Sequence, residues 1–129
     1  LKDFNDFIFN DSETVYMIAH NNDSFDKLFL EINFEKINLN FNKPIYIDSL
    51  RLCQKLIPDR FSYSLKSLCK DFDIIQENAH RALDDSYSLF YIYKKLCAIL
   101  SMNIDYSYKI ILNKPDIIYN YIYKYNRNL

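Results

Sequence analysis

His80 stands five residues ahead of Asp85 in Ala79-His80-Arg81-Ala82-Leu83-Asp84-Asp85-Ser86, at the start of the most regular helical pattern in the chain. An imidazole with an ordinary pKa of about 6.5 can take a proton from water near neutral pH. A carboxylate beside it is a hard ligand of the kind magnesium or manganese prefers. A second acid, Asp26, closes Ala19-His20-Asn21-Asn22-Asp23-Ser24-Phe25-Asp26, directly after an apolar run. One base and two acids brought together would suit metal-dependent hydrolysis of a phosphodiester. There, two cations about 3.5–4 Å apart can activate the water, neutralise the nonbridging oxygens and stabilise the leaving oxygen. A lone histidine near an aspartate is more often a surface pair or a helix cap, so the chemistry rests on both segments together.

These residues need elements to position them. Thr14 to Ala19 is a β-branched and aromatic run suited to a buried strand. It ends at His20 and Asn21, at the strand end where open α/β sheets gather ligands. Leu1, Phe4, Phe7 and Ile8 mark one face of a short opening helix, and residues 11–13 form a polar turn. Phe25, Leu28, Phe29 and Ile32 return to helical spacing. Pro44 precedes a second short strand, Ile45 to Ile47. Asp48 or Ser49 caps a helix carrying Leu50, Leu52, Cys53 and Leu56, and Pro58 ends it. Ser64 opens another, with Leu65, Leu68, Cys69 and Phe72 facing inward. The longest helix runs from about Arg81 to Leu100, with Leu83, Leu89, Phe90, Tyr93, Leu96, Cys97 and Leu100 as core. Strands alternating with helices define an α/β layer architecture, here mostly helical with two short strands.

The composition narrows the class. A chain of 129 residues fits one domain with a modest core, and 17% aromatic residues exclude a disordered chain. The net charge of −1 excludes a globally basic nucleic-acid binder, whereas 16 Lys and Arg leave room for a local basic face. No apolar run reaches the roughly 20 residues that span a bilayer, and there is no signal-peptide pattern. Cys53, Cys69 and Cys97 form an odd set without a C-x-x-C pair, which reads as buried reduced thiols in an intracellular protein rather than a zinc site or a secreted disulfide framework. Glycine is absent, so turns that need positive φ must fall on Asn or Asp.

In order and spacing, three stretches resemble the DEDDh 3′→5′ exonucleases, the group that includes polymerase proofreading subunits and three-prime repair exonucleases. They are the Ala19-to-Leu30 segment, Ile47-Asp48-Ser49-Leu50, and His80-Arg81-Ala82-Leu83-Asp84-Asp85. Ser62-Tyr63-Ser64-Leu65-Lys66-Ser67-Leu68-Cys69 resembles a helix that lies between the family's second and third motifs. The resemblance covers about residues 1–100 and leaves 101–129 as a C-terminal helical extension. It implies a ribonuclease-H-like fold, a DNA or RNA 3′ end as substrate, and two divalent ions, Mg2+ or Mn2+. It implies His80 as general base, Asp85 as a direct metal ligand and Asp26 as a ligand or a holder of metal-bound water. His20, Asn21 and Phe25 would shape the site or touch the terminal nucleotide. Asp84 would turn away from Asp85, and Asp48 reads as a helix cap.

The family's first motif, D-x-E on an opening strand, has no counterpart at the required distance. Asp11-Ser12-Glu13-Thr14 has the letters but ends immediately before the second-motif strand, so it reads as a turn. The chain also begins with Leu rather than Met. The expectation is an N-terminally truncated domain lacking its three opening strands, with an exposed apolar sheet edge. Such a chain would be a weak or inactive nuclease alone, completed by a protein partner or by the missing N-terminal segment. The alternative is a degenerate, non-catalytic module that binds nucleic acid or protein on the same scaffold. In the tail, Pro115 opens a helix whose stripe of Ile117, Ile118, Tyr121, Ile122 and Tyr125 lies near Lys124 and Arg127. That stripe could pack on the body or another subunit, or stack on single-stranded bases.

Overall fold

The computed structural model describes residues 13–20, 29–36, 45–76 and 82–124, with the segment 29–36 described by its backbone. Eight elements follow one another: strands β1 (Glu13–Ala19), β2 (Phe29–Lys36) and β3 (Ile45–Asp48), then helices α1 (Ser49–Leu56), α2 (Leu65–Asp71), α3 (Ala82–Ser101), α4 (Tyr108–Asn113) and α5 (Pro115–Tyr123). The predicted opening helix lies outside the described residues.

The three strands form one sheet in the order β2-β1-β3. β1 runs parallel to β3, with Tyr16 opposite Ile45 and Ala19 opposite Asp48. It runs antiparallel to β2, with Glu13 opposite Lys36 and a register shift between Thr14 and Val15. Both strands expected from sequence form, and β1 starts at Glu13, inside the expected polar turn. The third strand is a correction, because residues 29–32 were expected to be helical. The sequence of β2, Phe-Leu-Glu-Ile-Asn-Phe-Glu-Lys, alternates apolar Leu30, Ile32 and Phe34 with polar Glu31, Asn33 and Glu35. That period of two matches a strand and competes with the helical spacing of Phe25, Leu28, Phe29 and Ile32. Pairing with β1 decides between them, because it satisfies a row of backbone groups that β1 would otherwise leave open. β1 is therefore the central strand, and its side away from β3 is covered by β2.

The helices start where their caps allow. The Asp48 carboxylate accepts from the Leu50 amide at 3.0 Å and opens α1. Ser64 Oγ accepts from the Ser67 amide at 3.1 Å and opens α2. A cap of this kind contributes about 1 kcal/mol. Pro115 sits in the first turn of α5, where its missing N–H costs nothing. With no glycine available, the two described residues at positive φ are Asp59 and Asp73, in the turns that follow α1 and α2.

One hydrophobic core joins sheet and helices. Ile18 and Ile47 from the sheet meet Leu52, Leu68, Leu89, Tyr93, Leu96 and Leu100 from α1, α2 and α3, together with Ile111 and Ile118 from α4 and α5. The tail thus packs on the body. Tyr121 and Ile122 are buried, Lys55 Nζ donates to the Tyr121 carbonyl at 2.7 Å, and the Tyr123 hydroxyl accepts from the Asp48 amide at 3.1 Å. Leu83 departs from its expected core position and is 68% exposed. It precedes Leu89 by six residues, about 240° around the helix, which puts it off the stripe that Leu89, Tyr93, Leu96 and Leu100 define. The three cysteines are free and buried, as their placement on apolar helix faces implies.

Tyr93 is fully buried, and its hydroxyl finds no nitrogen or oxygen partner among the described residues, facing the Cys97 thiol instead. A thiol is a weak partner, so a buried hydroxyl left this way recovers little of the hydration it loses. Tyr93→Phe is expected to preserve the fold and raise stability by about 1 kcal/mol, read as a higher urea midpoint at unchanged slope. A clear drop would mean that the thiol contact stabilises the native state.

Candidate active site

The C-terminal ends of the parallel pair β1 and β3 lie side by side, and the chain leaves them at His20 and Ser49. His20 is 2% exposed, and both of its ring nitrogens are occupied. Nε2 lies 2.6 Å from the Tyr63 carbonyl and Nδ1 lies 2.8 Å from Ser49 Oγ. A carbonyl only accepts, so Nε2 carries a proton and donates to it. The Ser49 hydroxyl donates to the Ala19 carbonyl at 3.0 Å. With the ring neutral, Nδ1 can only accept, so the one Ser49 hydroxyl proton is shared between the Ala19 carbonyl and Nδ1. One imidazole thus ties the end of β1 to the start of α1 and to the loop before α2.

That loop is itself held from several directions. The Arg60 guanidinium donates to the Ser62 carbonyl at 2.9 Å and to Ser67 Oγ at 3.0 Å, and pairs with the Asp71 carboxylate. The Tyr63 hydroxyl donates to the Ile57 carbonyl at 2.6 Å and accepts from the Arg60 amide at 3.3 Å. These bonds fix the Tyr63 carbonyl that receives His20. Sequence reasoning placed His20 at the strand end but missed its partners. Ser49 carried a weak signal as a residue at a helix start, whereas Tyr63 acts through its backbone and left none.

Asp85 and Asp84 both fall in the first turn of α3, where the helix dipole favours negative charge. The Ser88 hydroxyl meets the Cys69 thiol of α2, and the Asp85 carboxylate is near enough to act on that thiol through its charge. Asp84 takes a different side of the helix and borders a small cavity with Gln76, Tyr87 and Ser88. Asn21, Phe25, Asp26 and His80 lie outside the described residues, so the structure does not relate them to Asp85. Among the described residues no three His, Cys, Asp or Glu side chains gather as a metal site. The cysteines are poor candidates on chemistry too. Burial pushes Cys53 and Cys97 up to about 12 and raises Cys69, so all three remain protonated thiols.

Residues 1–93 match the family model for exonucleases of the ribonuclease T type. The chain belongs to that exonuclease family, which bears out the resemblance drawn from its motifs. Over 96 residues it is 35% identical to the PolC-type DNA polymerase III of Oceanobacillus iheyensis, a match covering 74% of this chain and 6% of that protein. The Bacillus subtilis PolC-type polymerase is 34% identical over 97 residues, covering 74% of the chain and 6% of the relative. The Mycoplasma pneumoniae one is 40% identical over 75 residues, covering 57% and 5%. The chain therefore spans about one-twentieth of the length of these curated relatives. No solved structure matches it. No described helix is long and apolar enough to cross a membrane.

Burial holds the His20 pKa below the ordinary 6.5, against the opposing pull of the Tyr63 carbonyl and Asp48. The unfolded chain therefore binds a proton at a pH where the folded one does not. The stabilisation is fully present above about pH 6.5 and is lost as pH falls below it. Urea unfolding between pH 7.5 and 5 is expected to show stability falling by up to about 1.4 kcal/mol per pH unit from this residue. The slope should flatten in His20→Gln and persist in His80→Ala. An equal slope in His20→Gln would assign it elsewhere.

Proposed function

We propose that this chain is the second- and third-motif part of a DEDDh-type 3′→5′ exonuclease domain acting on a DNA or RNA 3′ end. The observation that carries the reading is the family match over residues 1–93, with the His80–Asp85 segment leading into α3 and the second-motif segment leaving the central strand β1. In this reading residues 1–100 are the exonuclease portion and 101–129 a helical extension. Asp26 and Asp85 hold two divalent cations, Mg2+ or Mn2+, and a donor set of hard carboxylate oxygens suits those ions. Bound there, the cations would supply charge neutralisation at the phosphodiester and an acidified water.

The protein side of the reaction falls to a few residues. His80 accepts the proton of the attacking water, a task that suits an imidazole near neutral pH. Asn21 and Phe25 position the terminal nucleotide. His20, with both nitrogens engaged by Ser49 and Tyr63, contributes by setting the strand end from which they project. Two acids are few for two dications. The first-motif acids would come from outside these 129 residues, so the chain alone is weak or inactive. That same shortage favours the second reading, a non-catalytic relative that binds nucleic acid or a protein on this scaffold.

The test uses a 5′-labelled single strand with Mg2+ or Mn2+. The 129-residue chain alone should release nucleotides slowly or not at all. Fused behind a family opening segment that carries D-x-E, it should shorten the strand from its 3′ end. His80→Ala in the fusion should cost about 10²–10⁴-fold, and Asp85→Asn a comparable factor. Robust digestion by the isolated chain that His80→Ala abolishes would overturn its incompleteness. A fusion indifferent to both substitutions would overturn the assignment of these residues.

A further inference from the structure

The side of α3 that carries Asp84 does not end at the candidate site. Asp84, Tyr87, Ser88, Tyr91, Lys94, Lys95 and Ala98 follow one another at intervals of three and four, or side by side, and so form one stripe along the helix. Asp84, Tyr87, Ser88 and Tyr91 border the small cavity near the helix start. Tyr91, Lys94, Lys95 and Ala98 form one wall of a groove of about 750 Å³, closed by residues 72–75 and by Tyr108 of α4. Both cavities are bordered by Ile75 and Tyr91, so they adjoin along the helix. From Asp84 to Ala98 the path is about 21 Å long.

The chemistry along it is graded. Near the helix start it is acidic, at Asp84. Further on it presents aromatic faces, with Tyr87 57% and Tyr91 49% exposed and Ile75 bare beside them. Then come two adjacent ammonium groups against one carboxylate, Asp73. Lys94 Nζ lies 4.9 Å from the Phe90 ring centroid and 5.5 Å from that of Tyr91, so its charge is held next to an exposed ring. Exposed tyrosines followed along the same helix face by lysines are what a single strand engages. Bases stack on the rings and phosphates meet the ammonium groups, without sequence readout. A protein segment would gain from the apolar surface but would leave the paired lysines without an anionic partner.

We propose that this groove binds the single-stranded nucleic acid upstream of a 3′ end, with bases against Tyr87 and Tyr91 and phosphates at Lys94 and Lys95. The inference deepens the exonuclease reading and rests on it for the direction of the strand. A local basic-aromatic track also reconciles nucleic-acid binding with a chain whose net charge is −1.

Fluorescence anisotropy of a labelled ten-residue oligothymidylate, in EDTA and over a salt series, tests it without requiring catalysis. The 129-residue chain should bind. The double substitution Lys94→Glu with Lys95→Glu should weaken binding at least tenfold and reduce the salt slope by about 1.4, at roughly 0.7 per phosphate contact. Tyr91→Ala should weaken it about 5- to 150-fold, and Tyr91→Phe should restore it to within twofold. Lys66→Glu with Lys70→Glu, on exposed positions of α2, should leave it within twofold. Circular dichroism verifies that each variant is folded. No binding by the parent chain would overturn the proposal and return the groove to a protein segment. Affinities of the groove variants within twofold of the parent would overturn it as well. Failure of the nuclease reading would appear instead in the cleavage assay, through His80 and Asp85, with these affinities unmoved.

Discussion

The imidazole of His20 is the constraint on which the rest of the described structure depends. β1 is the central strand, and its C-terminal end must be held in register with the end of β3 and with the helices that follow. A single buried ring does this by reaching Ser49 at the first residue of α1 and the Tyr63 carbonyl ahead of α2. Each partner is itself bound elsewhere: Ser49 to Ala19, and the Tyr63 loop through Arg60. In a low-dielectric interior such a network is worth most when every member is satisfied, and loses most when one is removed. Keeping the ring neutral is part of that cost, because the same burial that strengthens the bonds disfavours the charged form.

The chain divides its polar groups between holding and acting. Arg60, Asp71, Ser64 and Asp48 are spent on loops and caps, and the thiols are sealed in the core. The first turn of α3 is different. It brings two carboxylates to a helix N-terminus, about 100° apart around the axis, one acting through its charge on the Cys69 thiol and one bordering a cavity. α3 thereby packs into the core along one stripe and presents an acidic, then aromatic, then basic stripe along another.

Much of this was legible in the residues themselves. The capping aspartate and serine, the proline that opens α5, the aspartates at positive φ and the inward cysteines each follow from local rules that leave a side-chain signature. The segment 29–36 was not, because its apolar residues satisfy a helical and a strand period at once, and only pairing with β1 separates them. Leu83 was misplaced because a long helix pattern fixes the periodicity but not which stripe its neighbours will cover. The Tyr63 carbonyl was beyond reach for another reason: a backbone acceptor leaves no mark on residue type.

By itself the sequence determined the chemistry on offer: an imidazole and carboxylates in two segments whose order and spacing match an exonuclease family, in a chain without glycine. Only the tertiary structure decided that His20 is a buried tie rather than an open group, that a third strand flanks β1, and that Tyr91 and Lys94 face a common groove. Residue types fix what a group can donate, accept or stack on. Which partner it meets depends on contacts between segments far apart in the chain, and those are set by packing.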